Sequence, residues 1–225
     1  LWSTVDALGA LQRRYYDPVG MTAGFFGLLE ESGELAVVAL RLKISNRQIS
    51  EAEWHIGRED DVGLTGNPGG VLFDSDNLIA NPPLEGFVPL DRRSNRDDLI
   101  AIANSYFDGI IAQNSKVIKG HPGCSRRENG ADTFGGPLAE GATGYNGTID
   151  CRTAGDYGLA QIAARRVQVV DTEQQIVMMS VVFLRRPGNE RWRNHFTHTI
   201  SIEDGLIRHV HGAMFYAHPT QPVPN

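Results

Sequence analysis

The sequence predicts an α+β protein in which antiparallel strands form two similar blocks and one long helix lies between the blocks. Apolar and polar residues alternate along two separate segments, which indicates strands, and residues 94–114 carry apolar side chains at helical spacing. The strands of each block follow one another through short polar turns. We therefore expect antiparallel meanders and no regular alternation of strand and helix.

The first block of strands covers residues 21–56. The runs "MTAGFFGLLEE" and "ELAVVALRLKIS", followed by "QISEAEWHI" after a polar turn at Asn46, predict three neighbouring strands. From Gly57 onward the periodicity is lost in a segment rich in Asp, Gly, Asn and Pro, including "TGNPGG" and "NPPLEG". We assign residues 61–93 to a linker between two domains.

The long helix begins at Ser94 or Asn95, either of which is a suitable N-cap residue. Acidic residues fill its first turn, where they complement the helix dipole. A second, shorter helix is predicted over "AGDYGLAQIAAR". Strands follow in "RRVQVVD", "QIVMMSVVFLRR", "RWRNHFTHTISIE" and "GLIRHVHGAMF".

The two ends of the chain share one order of features, which indicates an internal repeat of a β-meander. Each copy has an Arg-Arg pair, a strand ending in an Asp turn, an apolar strand, a charged turn, a strand, a polar turn at Asn46 or Asp204, and a last strand. The long helix precedes only the second copy. The first sheet should therefore expose an apolar face, and we expect an upstream segment or a partner chain to complete it.

This organisation divides the chain into four parts. Residues 1–60 form the meander of a first, partial domain, and residues 61–93 form the linker. Residues 94–218 form a complete domain, and residues 219–225 are a tail. The aromatic residues Phe25 and Trp54 are expected in the core or an interface, and Asp17 and Asp171 are interpreted as turn residues.

Composition excludes two classes of partner. The formal net charge is −6 and basic residues are interspersed with acidic ones, so no basic stripe is available to neutralise a nucleic-acid backbone. No apolar run approaches the roughly 20 residues that span a bilayer. We expect no nucleic-acid partner and no membrane partner.

The two cysteines, Cys124 and Cys151, have no metal-ligand spacing. They form either a disulfide, which we favour, or two buried thiols. A glycosylation sequon at Asn146 lies in the loop between them and would suit an exported protein. The sequence thus predicts a secreted or extracellular protein, with the cytoplasm as the alternative.

The order of elements and several motifs resemble a known superfamily. A long helix, a short helix and a curved meander, with "YFDGI", "CSRRENG", "CRTAGDYG" and "ISIEDGLIRHVHGAMF", resemble the NTF2-like (SnoaL-like) proteins over residues 94–216, and more narrowly a bacterial and fungal family within them. The resemblance implies an α+β cone, in which helices cover a curved antiparallel sheet, preceded here by a partial second copy.

The resemblance also implies candidate catalytic residues. The superfamily includes ketosteroid isomerases, scytalone dehydratase and polyketide cyclases, as well as proteins without activity, so the fold alone does not decide function. By its position in the motif, Tyr106 in "NSYFDG" matches the tyrosine of the isomerases, and Glu128 in "RRENG" falls near their carboxylate. A buried carboxyl would serve as general acid or base, and a buried phenol would donate to a developing oxyanion.

Strand alternation places Arg126 on the same face as Glu128, and Arg127 with Asn129 on the other. Arg126 is therefore a candidate for holding an anionic substrate group, and Asn129 and His195 are further substrate-binding candidates. The alternative for Arg126 and Glu128 is a structural ion pair.

Histidines on the last two strands complete the candidate site. His209 and His211 share one face of the last strand, and His195 and His198 lie on its neighbour. A His-x-His pair alone is a weak metal signal, because a zinc site needs a third ligand. We therefore expect neutral histidines in acid/base roles, with His198, His209 and His211 catalytic, and neither a metal nor a cofactor.

Two hypotheses for function follow. The first is a cofactor-free lyase, isomerase or dehydratase that acts on a small aromatic or polyketide-like molecule. The second is a non-catalytic module that binds a ligand or assembles through its sheets, which suits a homo-oligomer. A cavity that brings Tyr106, Glu128 and a histidine together would favour the enzyme, and an interior filled with apolar side chains would favour the module.

Overall fold

The structure is a computed structural model that describes residues 4–134 and 150–221. In this part of the chain strands hold 52% of the residues and helices 14%, and the strands form two sheets. The predicted α+β cone with covering helices is therefore wrong, and the protein is mainly β. Long strands account for the difference, since several run for ten or more residues.

The first sheet is an antiparallel meander of four strands in the order β1-β2-β3-β4. Tight turns join β2 to β3 and β3 to β4, and residues in each turn adopt positive φ, as hairpins of the type I′ geometry require. The strands are β1 (Val5–Asp17), β2 (Thr22–Glu31), β3 (Glu34–Ser45) and β4 (Gln48–Arg58).

The segment predicted as a linker contains a short helix, α1 (Ser75–Ala80). The Asp74 side chain caps this helix by accepting a hydrogen bond from the backbone N–H of Asn77. Leu78 is fully buried between the two sheets, and the backbone N–H of Asp74 donates to the carbonyl of Asn129 at 2.9 Å. The segment therefore packs against both sheets, although its sequence is typical of a loop.

The long helix α2 (Arg96–Ala112) lies where the periodicity predicts it. The Asn95 side chain caps it by accepting from the backbone N–H of Asp98, and Gln113 ends it in the left-handed conformation. Neither of the described α-helices has the length and apolar character needed to cross a membrane.

The second sheet has six strands in the order β6-β5-β10-β9-β8-β7, and β5 and β10 form its parallel pair. The helix predicted over residues 154–165 is wrong, because residues from Leu159 onward form β7. Their Ala, Gln and Arg content favours a helix locally, but pairing with β8 overrides this weak preference. The strands are β5 (Gly120–Glu128), β6 (Ala131–Phe134), β7 (Leu159–Asp171), β8 (Ile176–Arg185), β9 (Arg193–Glu203) and β10 (Leu206–Ala217).

Each face of the second sheet is covered by a different element. Helix α2 packs on one face, which we call the inner face, and together they bury one apolar core. The first sheet and α1 pack on the opposite, outer face and bury a second core, which includes Tyr15, Phe26 and Met178. The side chains of β9 and β10 therefore alternate between two separate interiors.

Candidate functional site

The inner face brings together some of the predicted catalytic residues. Tyr106 on α2 and His198 on β9 are both buried there, with ring centres 6.1 Å apart. His198 also stacks on Phe196 at 4.5 Å and meets the edge of Phe107 at 5.4 Å. Its surroundings are thus largely aromatic.

Arg126 and Glu128 form a buried ion pair, as the structural alternative expects. The guanidinium of Arg126 also lies over the rings of Phe134 and Phe196, at 5.9 and 5.6 Å. Opposite charges buried side by side stabilise each other, and removing one partner leaves the other charge uncompensated. The Glu128 carboxylate is therefore engaged by a neighbour, which argues against a free general base.

His198 is the most unusual polar group of the inner face. Neither of its ring nitrogens has a hydrogen-bond partner among the described residues, and the side chain is fully buried. Burial, aided by the charge of Arg126, holds the pKa of His198 well below its ordinary value. The ring is consequently neutral throughout the physiological pH range.

His209 and His211 lie on the outer face, away from Tyr106. His209 Nδ1 hydrogen-bonds to Ser125 Oγ at 2.8 Å, and His211 Nε2 donates to the carbonyl of Asn81 at 3.1 Å. Burial is the main cause that lowers the pKa of His209 to about 4 and that of His211 to about 3. Strand alternation therefore separates these two histidines from the predicted site.

His195 and Asn129 were predicted to bind a substrate, and each has structural contacts within the protein. His195 stacks on Phe215 at 5.1 Å, and Phe215 in turn stacks on His55 of the first sheet. The Asn129 side chain accepts from the N–H of Met214 at 2.8 Å and donates to the carbonyl of the same residue at 2.9 Å. Both residues thus hold elements together, one between the sheets and one at the end of β5.

The two cysteines are bonded, which confirms the predicted disulfide. Cys124 and Cys151 are joined with their Cα atoms 5.2 Å apart. The predicted glycosylation site at Asn146 lies outside the described residues. In the described ranges no group of three or more His, Cys, Asp or Glu side chains is placed to hold a metal ion.

A pocket of about 350 Å³ lies on the first sheet, on the face turned away from the second sheet. We call it the apolar pocket. Arg14 at its edge donates to the side chain of Gln12 at 2.6 Å. Most of the other lining residues are aliphatic or aromatic, including Leu8, Tyr16, Phe25, Leu40, Leu42 and Trp54.

Sequence reasoning identified the face that forms the pocket but assigned its aromatic residues differently. Phe25 and Trp54 were expected in the core or an interface, yet they line the apolar pocket and are only partly buried. The alternation of side chains along β2 and β4 could have placed Phe25 and Trp54 in the pocket, because it puts both residues on the face that no predicted helix covers.

Residues 92–214 match the family model described as "Domain of unknown function (DUF8021)", which is more than half of the chain. The chain belongs to the DUF8021 family. No curated protein and no solved structure matches it. The DUF8021 segment begins just before α2 and ends in β10, so it contains Tyr106, Glu128 and His198 of the inner face. The apolar pocket is formed by β1–β4, outside that segment.

Proposed function

We propose that this protein is a non-catalytic binding module whose binding site is the apolar pocket of the first sheet. The pocket itself carries this proposal. Its volume of about 350 Å³ falls within the range of roughly 300–1,000 Å³ that is usual for ligand sites. A concave apolar surface of this kind marks an interaction site in a folded protein.

The driving force for binding is the removal of apolar surface from water. Leu8 is 50% exposed and Tyr16 57% exposed, and both line the pocket. Covering the exposed half of a side chain such as Leu8 contributes about 0.7–1.5 kcal/mol, half of the value for complete burial. A guest that covers several such side chains at once therefore binds without any catalytic group.

The inner face supports catalysis less well. Tyr106, His198 and Phe196 pack against one another, and α2 adds further apolar side chains to the same core. Glu128 is engaged by Arg126. These contacts are those of a packed interior with one structural ion pair.

A fluorescent dye with an apolar aromatic body and one sulfonate group tests the proposal. The protein contains three tryptophans, so Trp2→Phe and Trp192→Phe together leave Trp54 as a single reporter in the pocket. Titration with 1-anilinonaphthalene-8-sulfonate should quench Trp54 by energy transfer and saturate at one site. In this background, Leu8→Glu should weaken dye binding about tenfold or more, because it places a charge at the pocket wall.

Leu90→Glu is the matched control, since Leu90 is 81% exposed and does not line the pocket. Thermal unfolding of both variants checks that the fold is retained. Equal dye affinity in the two variants, or dye binding without quenching of Trp54, would show that the apolar pocket is not the binding site.

One observation favours a second candidate, acid/base catalysis on a small aromatic ketone at the inner face. His198 has no hydrogen-bond partner among the described residues, and it lies beside Tyr106. Proton exchange tests this candidate: loss of the α-proton signal of 1-indanone in D₂O, followed by NMR, should be faster with protein and slow again in His198→Phe and Tyr106→Phe. An unchanged exchange rate on adding the protein counts against catalysis of this kind.

We also propose that the protein works in an oxidising compartment, outside the cell. The Cys124–Cys151 disulfide supports this location, because such bonds persist mainly in secreted and extracellular proteins. Thiol labelling of the protein in its native source, before and after reduction, measures the bonded fraction. Two labelled cysteines before reduction would contradict the proposed location.

A further inference from the structure

The two meanders correspond in strand order and, outside the bulges of β1 and β7, in register. In the first, Asp17 pairs with Thr22; in the second, Asp171 pairs with Ile176. The pairings of β2 with β3 and of β3 with β4 have the same register as those of β8 with β9 and of β9 with β10. The matched pairs of partners are Ala23 with Leu42 and Val177 with Ile200, then Lys43 with Glu51 and Ser201 with His209.

This correspondence maps the apolar pocket onto the inner face of the second sheet. Five residues that line the pocket match five residues that lie in one core with α2. The matched pairs are Leu8 with Ile162, Tyr16 with Val170, Ala23 with Val177, Phe25 with Met179, and Leu42 with Ile200. The apolar pocket is therefore the surface that α2 would cover if it belonged to the first repeat.

We propose that an amphipathic α-helix of a partner chain docks in the apolar pocket, with the apolar spacing of α2. This inference rests on the proposed function, because it names the occupant of the same site. Helix α2 presents buried side chains at Leu99, Ile102, Ala103, Tyr106, Phe107 and Ile110, which recur every three or four residues. A helix satisfies its own backbone hydrogen bonds, so it covers an apolar sheet face without leaving polar groups unpaired.

An ionic contact indicates how the docked helix is oriented. Arg96, the first residue of α2, pairs with the buried Asp17 of the first sheet at 2.6 Å. The equivalent residue Asp171 is equally buried, yet within the described residues no arginine or lysine pairs with it. A basic residue in the first turn of the docked helix, placed as Arg96 is, would reach Asp171.

Charge favours a specific fit over non-specific adsorption. A peptide with the sequence of residues 94–113 contains one arginine and three aspartates, and the whole chain has a net charge of −6. Net charge therefore opposes general attraction between the peptide and the protein. Apolar contact and the Arg96–Asp171 pairing must supply the affinity.

The test uses this peptide, acetylated and amidated, with the protein that carries Trp54 as its only tryptophan. Binding should blue-shift Trp54 emission, raise the helical circular dichroism of the peptide and displace the dye. Leu8→Glu should weaken binding about tenfold relative to Leu90→Glu. Peptides with Ile102→Asp or Phe107→Asp should lose binding, because each change breaks the apolar stripe.

The outcomes separate this inference from the proposed function. Saturable, helix-forming binding that displaces the dye supports both. Dye binding without peptide binding overturns the partner helix and leaves a small apolar ligand as the occupant. Failure of both dye and peptide overturns the proposed function as well.

Two further results would also overturn parts of the inference. If the protein sediments as a dimer that Leu8→Glu dissociates, a second copy covers the pocket and a partner helix does not. If the Arg96→Gln peptide binds as tightly as the parent peptide, the pairing with Asp171 is wrong; a weakening of about tenfold supports it.

Discussion

Asp17 and Asp171 occupy equivalent turns, and the carboxylate of each accepts a hydrogen bond from the backbone of the other repeat. Asp17 Oδ2 accepts from the backbone N–H of Val170 at 3.0 Å, and Asp171 Oδ2 accepts from that of Tyr16 at 2.9 Å. Sequence reasoning interpreted both aspartates as turn residues, and each does accept a hydrogen bond within its own turn, Asp17 from Gly20. The reciprocal bonds across the repeats could not be seen in either turn alone.

Replacing Asp17 with Asn should cost about 2–3 kcal/mol of unfolding free energy, since a buried carboxylate that accepts from Arg96 and two backbone N–H groups is lost. Urea unfolding measures this value. Asp91→Asn, an exposed change, should be close to neutral. A loss no larger than that of Asp91→Asn would show that Asp17 does not hold the repeats together.

The contribution of Asp17 should also depend on pH. Burial alone would raise its pKa, but hydrogen bonds from Arg96, Gly20 and Val170 outweigh burial and hold the pKa below the ordinary 3.8. The folded state therefore releases this proton more readily than the unfolded state. The stabilisation by Asp17 is fully present above pH 3.8 and is lost as the pH falls through the lowered pKa. The difference in stability between the parent and Asp17→Asn should shrink on acidification below about pH 4.

His198 predicts a second pH effect of the same sign at higher pH. The folded state keeps this buried ring neutral, while the unfolded chain takes up a proton below the ordinary value of 6.5. Stability is therefore lost as the pH falls from 6.5. One such histidine lowers the free energy of unfolding by about 2 kcal/mol between pH 7 and about pH 5. His198→Phe should remove that part of the loss.

Urea unfolding at the two pH values gives the comparison for His198→Phe, and the exposed His218→Gln is its control. Only the change with pH is compared, since the phenyl ring alters packing at both values. A pH-dependent loss as large as that of the parent protein would mean that His198 is protonated, or bonded, in the folded state.

At the scale of elements, the long helix is the part of the fold that the sequence pattern identifies best. Helix α2 has a cap, acidic residues in its first turn and a regular apolar stripe, so local and tertiary signals agree. Strand β7 shows the opposite case, because helix-favouring residues from Leu159 onward are held extended by pairing with β8. Pairing of one strand with another is a property of the folded sheet that the composition of a segment does not carry.

Breaking the Cys124–Cys151 bond should lower the unfolding free energy by about 3 kcal/mol, because the bond restricts a loop of that length in the unfolded chain. Chemical denaturation with and without reductant, and of Cys151→Ser, measures the loss. Intact mass must rise by two hydrogens on reduction. A mass that does not change would contradict the bond itself.

At the scale of the whole molecule, the two sheets share a core and cross-linking polar contacts. Met178 lies so close to Gly24 that a Cβ atom there would approach its sulfur to 2.3 Å, and His55 Nδ1 hydrogen-bonds to Thr197 Oγ1 at 2.7 Å. Glu53 of the first sheet also pairs with Arg166 of the second. The core between the sheets is lost when either sheet is removed.

The two sheets should therefore unfold in one cooperative transition. Trp54 reports on the first sheet, and Trp192 packs against the core of the second. In the Trp2→Phe background, variants that keep only Trp54 or only Trp192 should give the same urea midpoint and the same slope. Two separate midpoints would show that the repeats fold independently.

The sequence by itself determined the repeat, the long helix, which two cysteines are available to form a disulfide, and the apolar character of the uncovered face of the first sheet. These features depend on local periodicity and on which residues are present, and both can be read directly from the amino-acid sequence. Only the tertiary structure decided that His198 faces Tyr106 while His209 and His211 lie on the opposite, outer face. The physical reason is the period of two along a strand: a shift of one residue exchanges the two faces, and only packing on both sides sets that register.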